Sequence, residues 1–194
     1  MYHQYAPFFS ELWHKIRNGE SLTYSWNIGM GTNFTSLFAY YLASPSNWFV
    51  ALFPQKYTIE IMNAFIILKI AGSSLSLTYY LTKHNNNKHV IAAIFGMFYG
   101  MSGFIAAYSW NIMWLDCVIL IPLIMLGLER LVNENRCIFY CITLGLCIFT
   151  NYYIAIMVCL SVVIYYVVLM IAYNGIKSPM QYLSLIHISE PTRP

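Results

Sequence analysis

Long apolar runs dominate the chain after residue 57. They cover 58–82, 89–107, 115–132, about 135–151 and 153–173. Because a helix rises 1.5 Å per residue, a run of about 20 residues crosses the hydrocarbon core of a bilayer, which is about 30 Å thick. The strands of a membrane barrel would instead alternate polar and apolar residues. We therefore predict an all-α, polytopic helical membrane protein, with about five transmembrane helices bundled over 58–182.

The last two runs form one uncharged stretch that is too long for a single crossing. It extends from Cys137 to Tyr173, and the segment TNYY at 150–153 is its polar interruption. We therefore predict a turn at TNYY.

Composition argues against several classes of protein. Hydrophobic residues make up 59% of the chain and charged residues 9%, whereas about a quarter of the residues in a soluble domain are charged. The formal net charge of +3 is too small and too dispersed to indicate a nucleic-acid partner. The five cysteines lack the paired spacing of zinc sites and disulfide frameworks. We expect the lipid bilayer, and no nucleic acid, as a partner.

Basic residues in the connections predict the orientation of the bundle. Lys83 and Lys88 follow the first run, Arg130 and Arg136 follow the third, and Lys177 follows the fifth. Alternate connections lie on one side of a membrane, and the side richer in Lys and Arg is the cytoplasmic one. All the tryptophans fall on the other side: Trp13, Trp26, Trp48, Trp110 and Trp114. Both signals predict that the N-terminal segment, and the link between the second and third runs, face outward.

The N-terminal segment, 1–57, reads as an outward-facing leader with interfacial helices. Phe8, Leu12 and Ile16 recur at helical spacing and Gly19 follows as a C-cap, which predicts an amphipathic helix on the outer membrane surface. Its charged residues are predicted to lie away from the apolar stripe: Glu11, Lys15 and Arg17. The Gly- and Asn-rich YSWNIGMGTNF comes next. The proline-bounded SLFAYYLASPSNWFVALFP then predicts one or two short helices.

The last twelve residues differ in character from the rest of the chain. Residues 183–194, LSLIHISEPTRP, crowd prolines and charges behind a nearly uncharged run. They resemble a translated sequencing adapter, so we interpret them as a non-native tail. The natural chain is then expected to continue past about residue 182.

Asp116 is the only aspartate of the chain, at the outer start of the third run. Its position near the positive end of a helix dipole allows two interpretations. It either satisfies free N–H groups of the first turn, or serves as a carboxylate at the mouth of an aromatic-lined cavity, as base, metal ligand or acceptor for sugar hydroxyls. Pro122, which cannot donate to the Val118 carbonyl, predicts a kink in the same helix.

Lys69 is the charge placed deepest in an apolar run. It lies about 16 Å along the helix from Thr58, so its ammonium group is too far from either membrane surface to reach water easily. A charge at that depth costs at least about 2.5 kcal/mol, so we expect it to face the bundle or a water-filled cavity. Snorkelling to an interface is the alternative. The ligand that we predict for Lys69 is a phosphate carried on a lipid.

Two other patterns are interpreted as structural. Gly96 and Gly100 have the small-xxx-small spacing that lets helices approach closely. His84 and His89 flank three asparagines and a lysine, and we read them as part of a solvated cytoplasmic turn and not as metal ligands.

Six segments, in chain order, match one known family: YHQYAPFF, SWNIGMGTNF, YYLASPSNW, SWNIMWLD, PLIMLGLERL and NYYIAIM. Together they resemble the N-terminal part of the YfhO family of bacterial membrane proteins. The resemblance covers residues 1 to about 182, and the combination is specific although no single segment is.

The resemblance implies an activity. The YfhO family is similar to the GT-C glycosyltransferases, multispan enzymes that move a sugar from a polyprenyl-phosphate carrier to an acceptor on the outer face of the membrane. The implied acceptor is a cell-envelope polymer of the teichoic-acid type, and the implied donor is a lipid-linked sugar. The resemblance fixes no cofactor and leaves a divalent metal open. It places the protein in the bacterial cell membrane.

The resemblance also implies roles for residues. The family pattern has an aspartate directly before the segment that matches MYHQY, and a span before that. The first span and the main base would then lie upstream of Met1, Asp116 would be a second carboxylate of the site, and this chain alone would be inactive. Lys69 would meet the lipid phosphate. Ten outward residues would hold sugar or metal: His3, Gln4, Tyr5, Asn27, Asn33, Trp110, Asn111, Trp114, Asn151 and Tyr152.

A non-enzymatic transporter or flippase for a lipid-linked envelope intermediate is the alternative. Lys69 and the outer aromatic loops would then serve passage of the lipid. Broken helices in matching halves of the chain would favour this alternative, and residues 1–182 show no internal repeat.

Overall fold

The computed structural model describes residues 5–85 and 90–174, which are almost entirely helical. The α-helices in these residues are Tyr5–Asn18 (α1), Phe34–Leu37 (α2), Thr58–His84 (α3), Val90–Gly100 (α4), Gly103–Tyr108 (α5), Ile112–Glu134 (α6), Ile138–Thr150 (α7) and Tyr152–Asn174 (α8). One antiparallel hairpin pairs Tyr24–Ser25 (β1) with Thr32–Asn33 (β2). A π-helix at Phe38–Leu42 and 3₁₀-helices at Pro45–Leu52 and Gln55–Tyr57 lead into α3. The predicted all-α, polytopic fold class is confirmed.

Four segments of the described chain are long and apolar enough to cross a membrane. They are Gln55–His84, Val90–Tyr108, Ile112–Glu134 and Tyr152–Ile171. α7 is also apolar but has 13 residues, about 20 Å by its rise, which is less than the thickness of a hydrocarbon core. It is shorter than the predicted run because Asn135, with a left-handed φ of 58°, ends α6 and helix does not resume until Ile138.

The long helices run between two ends of the bundle. Residues 5–57, which we call the cap, pack where α3, α6 and α8 begin, and we call this the cap end. α3 and α6 finish, and α7 begins, at the opposite end, which we call the far end. The chain returns to the cap at Asn151, between α7 and α8, inside the TNYY segment.

α6 is the central helix. In its most apolar stretch 61% of the residues are buried, against 17–33% in the other candidate spans. α6 continues through Pro122, whose ring nitrogen has no hydrogen to donate to the Val118 carbonyl. The Tyr99 hydroxyl donates to that carbonyl instead, at 2.8 Å. A side chain of α4 thus supplies the hydrogen bond that the proline removes, as membrane helices require.

α4 packs closely against α3 through its glycines. A Cβ on Gly96 would lie 2.0 Å from Thr78 Oγ1 and 2.6 Å from the Ser74 carbonyl oxygen, and one on Gly100 would lie 1.9 Å from Ser74 Oγ. The predicted close approach at this pair is confirmed. After Gly100 the helix breaks, so the predicted second run is two helices, α4 and α5, separated by two residues.

The cap has a hydrophobic cluster of its own. The most buried residues of α1 are Tyr5, Phe9 and Leu12, and the predicted stripe positions Phe8 and Ile16 are partly buried beside them. Other cap and span residues complete the cluster: Phe34, Leu42, Val50, Ile61, Met62 and Ile112. The cap is therefore packed onto the starts of α3 and α6.

Two charged residues of α1 are buried, against the expectation that they lie away from packed surface. Glu11 and Lys15 are 7% and 4% exposed because the hairpin covers them. Glu11 accepts hydrogen bonds from Ser25 Oγ at 2.6 Å and Asn27 Nδ2 at 3.1 Å. Lys15 donates to the carbonyls of Ser21 and Tyr24, which fixes the chain beyond Gly19. Gly19 itself has φ +65°, and the helix ends there as predicted.

Candidate functional site

An ion pair between two membrane helices lies below the cap. Lys69 Nζ on α3 is 2.7 Å from Asp116 Oδ2 on α6, and it also donates to the Ile112 carbonyl at 3.2 Å. The two side chains are only 5% and 13% exposed. Lys69 faces the bundle and does not snorkel to an interface. The two residues are 47 positions apart in the chain, and in the structure each charge compensates the other.

Asn111 links this region to the cap. It directly precedes α6, and its side-chain oxygen accepts a hydrogen bond of 2.7 Å from the Tyr5 hydroxyl of α1. Burial, together with the nearby hydroxyls of Tyr41 and Tyr40, raises the pKa of Tyr5 far above its ordinary value. The hydroxyl therefore stays protonated and remains the donor of this bond.

A row of aromatic rings extends from α1 to α8 across the cap. Tyr41 packs against Tyr5 with ring centroids 5.7 Å apart and against Tyr40 at 4.7 Å, and Tyr40 continues to Tyr152 at 5.8 Å. Tyr152 is 52% exposed, so the row ends at an accessible ring. Aromatic faces and amide groups are the usual surfaces against which proteins hold sugars and other rigid ligands.

Asn151 is buried beneath this row and is fully used by the fold. Its Oδ1 accepts from the Ile154 amide at 3.0 Å, which caps α8, and its Nδ2 donates to the Tyr40 carbonyl at 3.4 Å. Asn151 is 0% exposed. Its contribution is to position Tyr40 and the start of α8.

The two predicted asparagines of the leader lie in the hairpin. Asn27 is exposed and donates to Glu11, and Asn33 is exposed and caps α2 by accepting from the Thr35 amide at 3.0 Å. The hairpin turn between them uses left-handed glycines, and a Cβ on Gly31 would lie 2.0 Å from the Tyr24 hydroxyl. These asparagines hold the hairpin in place, away from the Lys69–Asp116 pair in the bundle.

The two predicted tryptophans lie on either side of the start of α6. Trp110 is 44% exposed and its Nε1 donates to the Ala107 carbonyl at 3.0 Å. Trp114 packs against Tyr108 with ring centroids 5.8 Å apart, and its Nε1 is buried without a hydrogen-bond partner among the described residues. Predicted residues His3 and Gln4 lie outside the described residues.

Glu11 and Lys15 of the cap were predicted to lie away from the apolar stripe, and their burial under the hairpin was not predicted. The signal that could have identified them is their spacing, because i and i+4 place both on one helix face next to the apolar stripe. Among the described residues no group of three or more His, Cys, Asp and Glu side chains is placed to hold a metal ion.

A family model described as "Bacterial membrane protein YfhO" matches residues 1–190. The chain belongs to the YfhO family. No curated protein and no solved structure matches it. The family resemblance drawn from the six segments is thereby confirmed, and the chain is a multi-pass protein of a bacterial membrane. The matched range includes residues 183–190, which lie outside the described residues, so their interpretation as a non-native tail stays a prediction.

Proposed function

We propose that this YfhO-family chain is part of a membrane glycosyltransferase that moves a sugar from a polyprenyl-phosphate carrier to a teichoic-acid-type polymer on the outer face of the membrane. The observation that carries the proposal is the cap end itself. There a folded cap with an accessible row of aromatic rings is anchored through Tyr5 and Asn111 directly above a membrane-buried Lys69–Asp116 pair. The connections between α5 and α6 and between α7 and α8 contain no Lys or Arg, whereas Lys83, Lys88, Arg130 and Arg136 lie in or beside the connections that follow α3 and α6 in the sequence. This difference supports an outward orientation of the cap end.

The chemistry requires a carboxylate, a cation and a sugar platform. A carboxylate takes the proton of the acceptor hydroxyl, the acceptor oxygen bonds to the anomeric carbon, and the bond from that carbon to the phosphate oxygen breaks with its electron pair left on the polyprenyl phosphate. We assign Asp116 as a second carboxylate that orients the sugar, and we assign the main base to none of the described residues.

Lys69 is proposed to stabilise the leaving phosphate. An ammonium has three N–H donors, and two of those of Lys69 bond to Asp116 and the Ile112 carbonyl. The third is available to a phosphate oxygen that enters between α3 and α6. Asp116 contacts Lys69 through Oδ2, and its other oxygen, Oδ1, is the one that we assign to a sugar hydroxyl; no step is assigned to a metal ion.

The sugar platform is proposed to be Tyr152 and Tyr40, together with the exposed ring of Trp110. Tyr5, Asn111, Trp114 and Asn151 would hold these groups in position, and Asn27 and Asn33 would contact the acceptor from the hairpin. His3 and Gln4 are proposed to line the same surface.

The test is complementation of a strain from which the whole gene has been deleted, with sugar on the envelope polymer as the readout. We expect the sugar to disappear on deletion and return with the wild-type gene. Tyr152→Ala should lower sugar transfer roughly tenfold, because it removes an aromatic contact. Tyr153→Ala is the matched control, since Tyr153 is 45% exposed on the same turn of α8. Unchanged envelope glycosylation in the deletion strain would contradict the enzymatic proposal.

A flippase for a lipid-linked intermediate is the second candidate. The break between α4 and α5, and a charge pair buried between spans, are features that transporters also use. Lys69→Met separates the candidates when sugar transfer and lipid movement are followed independently in proteoliposomes. An enzyme transfers sugar in the wild-type form and loses that transfer in the variant, with lipid movement unchanged, whereas a flippase moves lipid without transferring sugar and loses the movement in the variant.

A further inference from the structure

A polar cluster joins three helices at the far end, remote from the proposed site. The Glu129 carboxylate of α6 is 6% exposed and accepts hydrogen bonds from the hydroxyls of Tyr80 on α3, at 2.8 Å, and Tyr165 on α8. His84 Nδ1 lies 2.9 and 3.0 Å from the two Glu129 oxygens. The negative charge of Glu129 is therefore satisfied by groups of the protein.

A polar cleft of about 340 Å³ opens beside this cluster, between the ends of α3 and α6. Its lining includes Lys83, His84, Glu129, Arg130, Asn133 and Glu134. Glu134 lies 3.7 Å from Arg136, which is 80% exposed outside the cleft. Both carboxylates of the lining thus have cationic or hydrogen-bonding partners already.

The two strong cations of the lining have no such partner. Among the described residues neither Lys83 nor Arg130 lies within ion-pair distance of a carboxylate. Each is instead held over an aromatic ring, Lys83 Nζ 5.9 Å from the centroid of Tyr79 and Arg130 Cζ 5.2 Å from that of Phe139. The ring contacts orient both side chains along the lining, so the cleft presents two cations that are not paired with a carboxylate among the described residues.

The depth of the cleft indicates how an anion would reach it. Lys83 is the penultimate residue of α3, and Arg130 lies in the last turns of α6. Both helices are long enough to span a bilayer and end here, so the cleft lies at the level of the lipid headgroups. Basic pockets between membrane helices at this level suit the phosphates of anionic lipids.

We propose that this cleft binds the phosphate of an anionic phospholipid headgroup, with Lys83 and Arg130 as its ligands. The guanidinium of Arg130 contacts two phosphate oxygens and the ammonium of Lys83 a third. The cluster around Glu129 keeps α3 and α6 at the spacing that this requires. The site is independent of the sugar-transfer proposal, because it lies at the other end of the bundle.

The test is native mass spectrometry of the full-length protein, stripped of lipid in detergent and titrated with defined probes. The probes are phosphatidylglycerol, phosphatidylcholine, diacylglycerol and inorganic phosphate. We expect the tightest binding for phosphatidylglycerol, and about fivefold weaker binding of it in each of Arg130→Gln and Lys83→Gln. Arg130→Lys should bind more weakly than wild type but more tightly than Arg130→Gln, since it keeps the charge and loses the bidentate contact. Lys56→Gln, which removes one positive charge at the cap end, should bind like wild type.

Wild-type affinity for phosphatidylglycerol in both Gln variants would overturn the proposal. Equal binding of diacylglycerol, which has no phosphate, would also overturn it. Displacement of phosphatidylglycerol by inorganic phosphate at millimolar concentration would reassign the cleft to a soluble anion and overturn the lipid assignment. A size-exclusion profile identical to wild type shows that each variant is folded. If a Gln variant does not fold, the affinity of Arg130→Lys for phosphatidylglycerol still tests the proposal.

Discussion

Lys69 and Asp116 each carry a charge that a single membrane helix holds only at high cost. Their side chains meet at 2.7 Å in the bundle, so the pair links α3 to α6. One N–H of Lys69 has no acceptor among the residues that the structure describes. Removal of one partner leaves the other charge buried and uncompensated, which makes the single variants more damaging than the loss of both.

We therefore predict that Lys69→Met and Asp116→Leu each destabilise the protein by about 3–5 kcal/mol, while the double variant costs clearly less than the sum. Thermal unfolding of the purified protein in detergent measures this. Additive losses of stability in the double variant would mean that the two charges do not compensate each other.

Tyr99 provides a second residue-level test. Its hydroxyl donates to the Val118 carbonyl that Pro122 leaves without a helix donor. Tyr99→Phe should cost about 1 kcal/mol of stability. In a Pro122→Ala background the helix regains its own donor, so the same substitution should cost less. A double-mutant cycle compares the two costs, and equal costs would show that Tyr99 does not replace the missing donor.

At the scale of elements, hydropathy locates four of the five predicted spans. The remaining apolar run contains α7, which has 13 residues and is shorter than the hydrocarbon core. Hydropathy does not predict the break after Gly100, since Met101 and Ser102 sit within a run that stays apolar overall. Nor does it predict that Lys69 meets Asp116, because the two are 47 residues apart and the sequence does not specify which helix faces pack together. The burial of Glu11 and Lys15 was not predicted either, because the sequence does not show that the hairpin packs over this face of α1.

The contact between α3 and α4 gives a prediction with a built-in control. Gly96→Ala places a Cβ 2.6 Å from a backbone carbonyl of α3, which cannot move without shifting the helix. We expect a loss of about 1–3 kcal/mol. In the described part of the chain, no atom outside the local backbone of α7 lies within 4 Å of a Cβ on Gly145, so Gly145→Ala should be neutral or slightly stabilising. Thermal unfolding of both variants makes the comparison, and equal stabilities would contradict the close packing.

At the scale of the whole molecule, the orientation of the bundle is a prediction from its charge distribution. Cys137 is exposed in the far-end connection between α6 and α7, and Ser21 is exposed in the cap. In a variant whose other native cysteines are replaced, a membrane-impermeant maleimide should label Cys137 only after the cells are opened. With Cys137 also replaced, Ser21→Cys should be labelled in intact cells. The reverse pattern would place the cap inside and exclude sugar transfer at the outer face.

The pairing of Lys69 with Asp116 has a consequence for the order in which the protein is made. A ribosome adds about 5–20 residues per second, and Asp116 follows Lys69 by 47 residues, so Lys69 leaves the ribosome roughly 2–10 s before its partner does. During that interval α3 carries an ammonium that no carboxylate of α6 can yet neutralise. Stable integration of α3 is therefore expected to wait for α6, so the first half of the bundle enters the membrane as one delayed unit and not helix by helix.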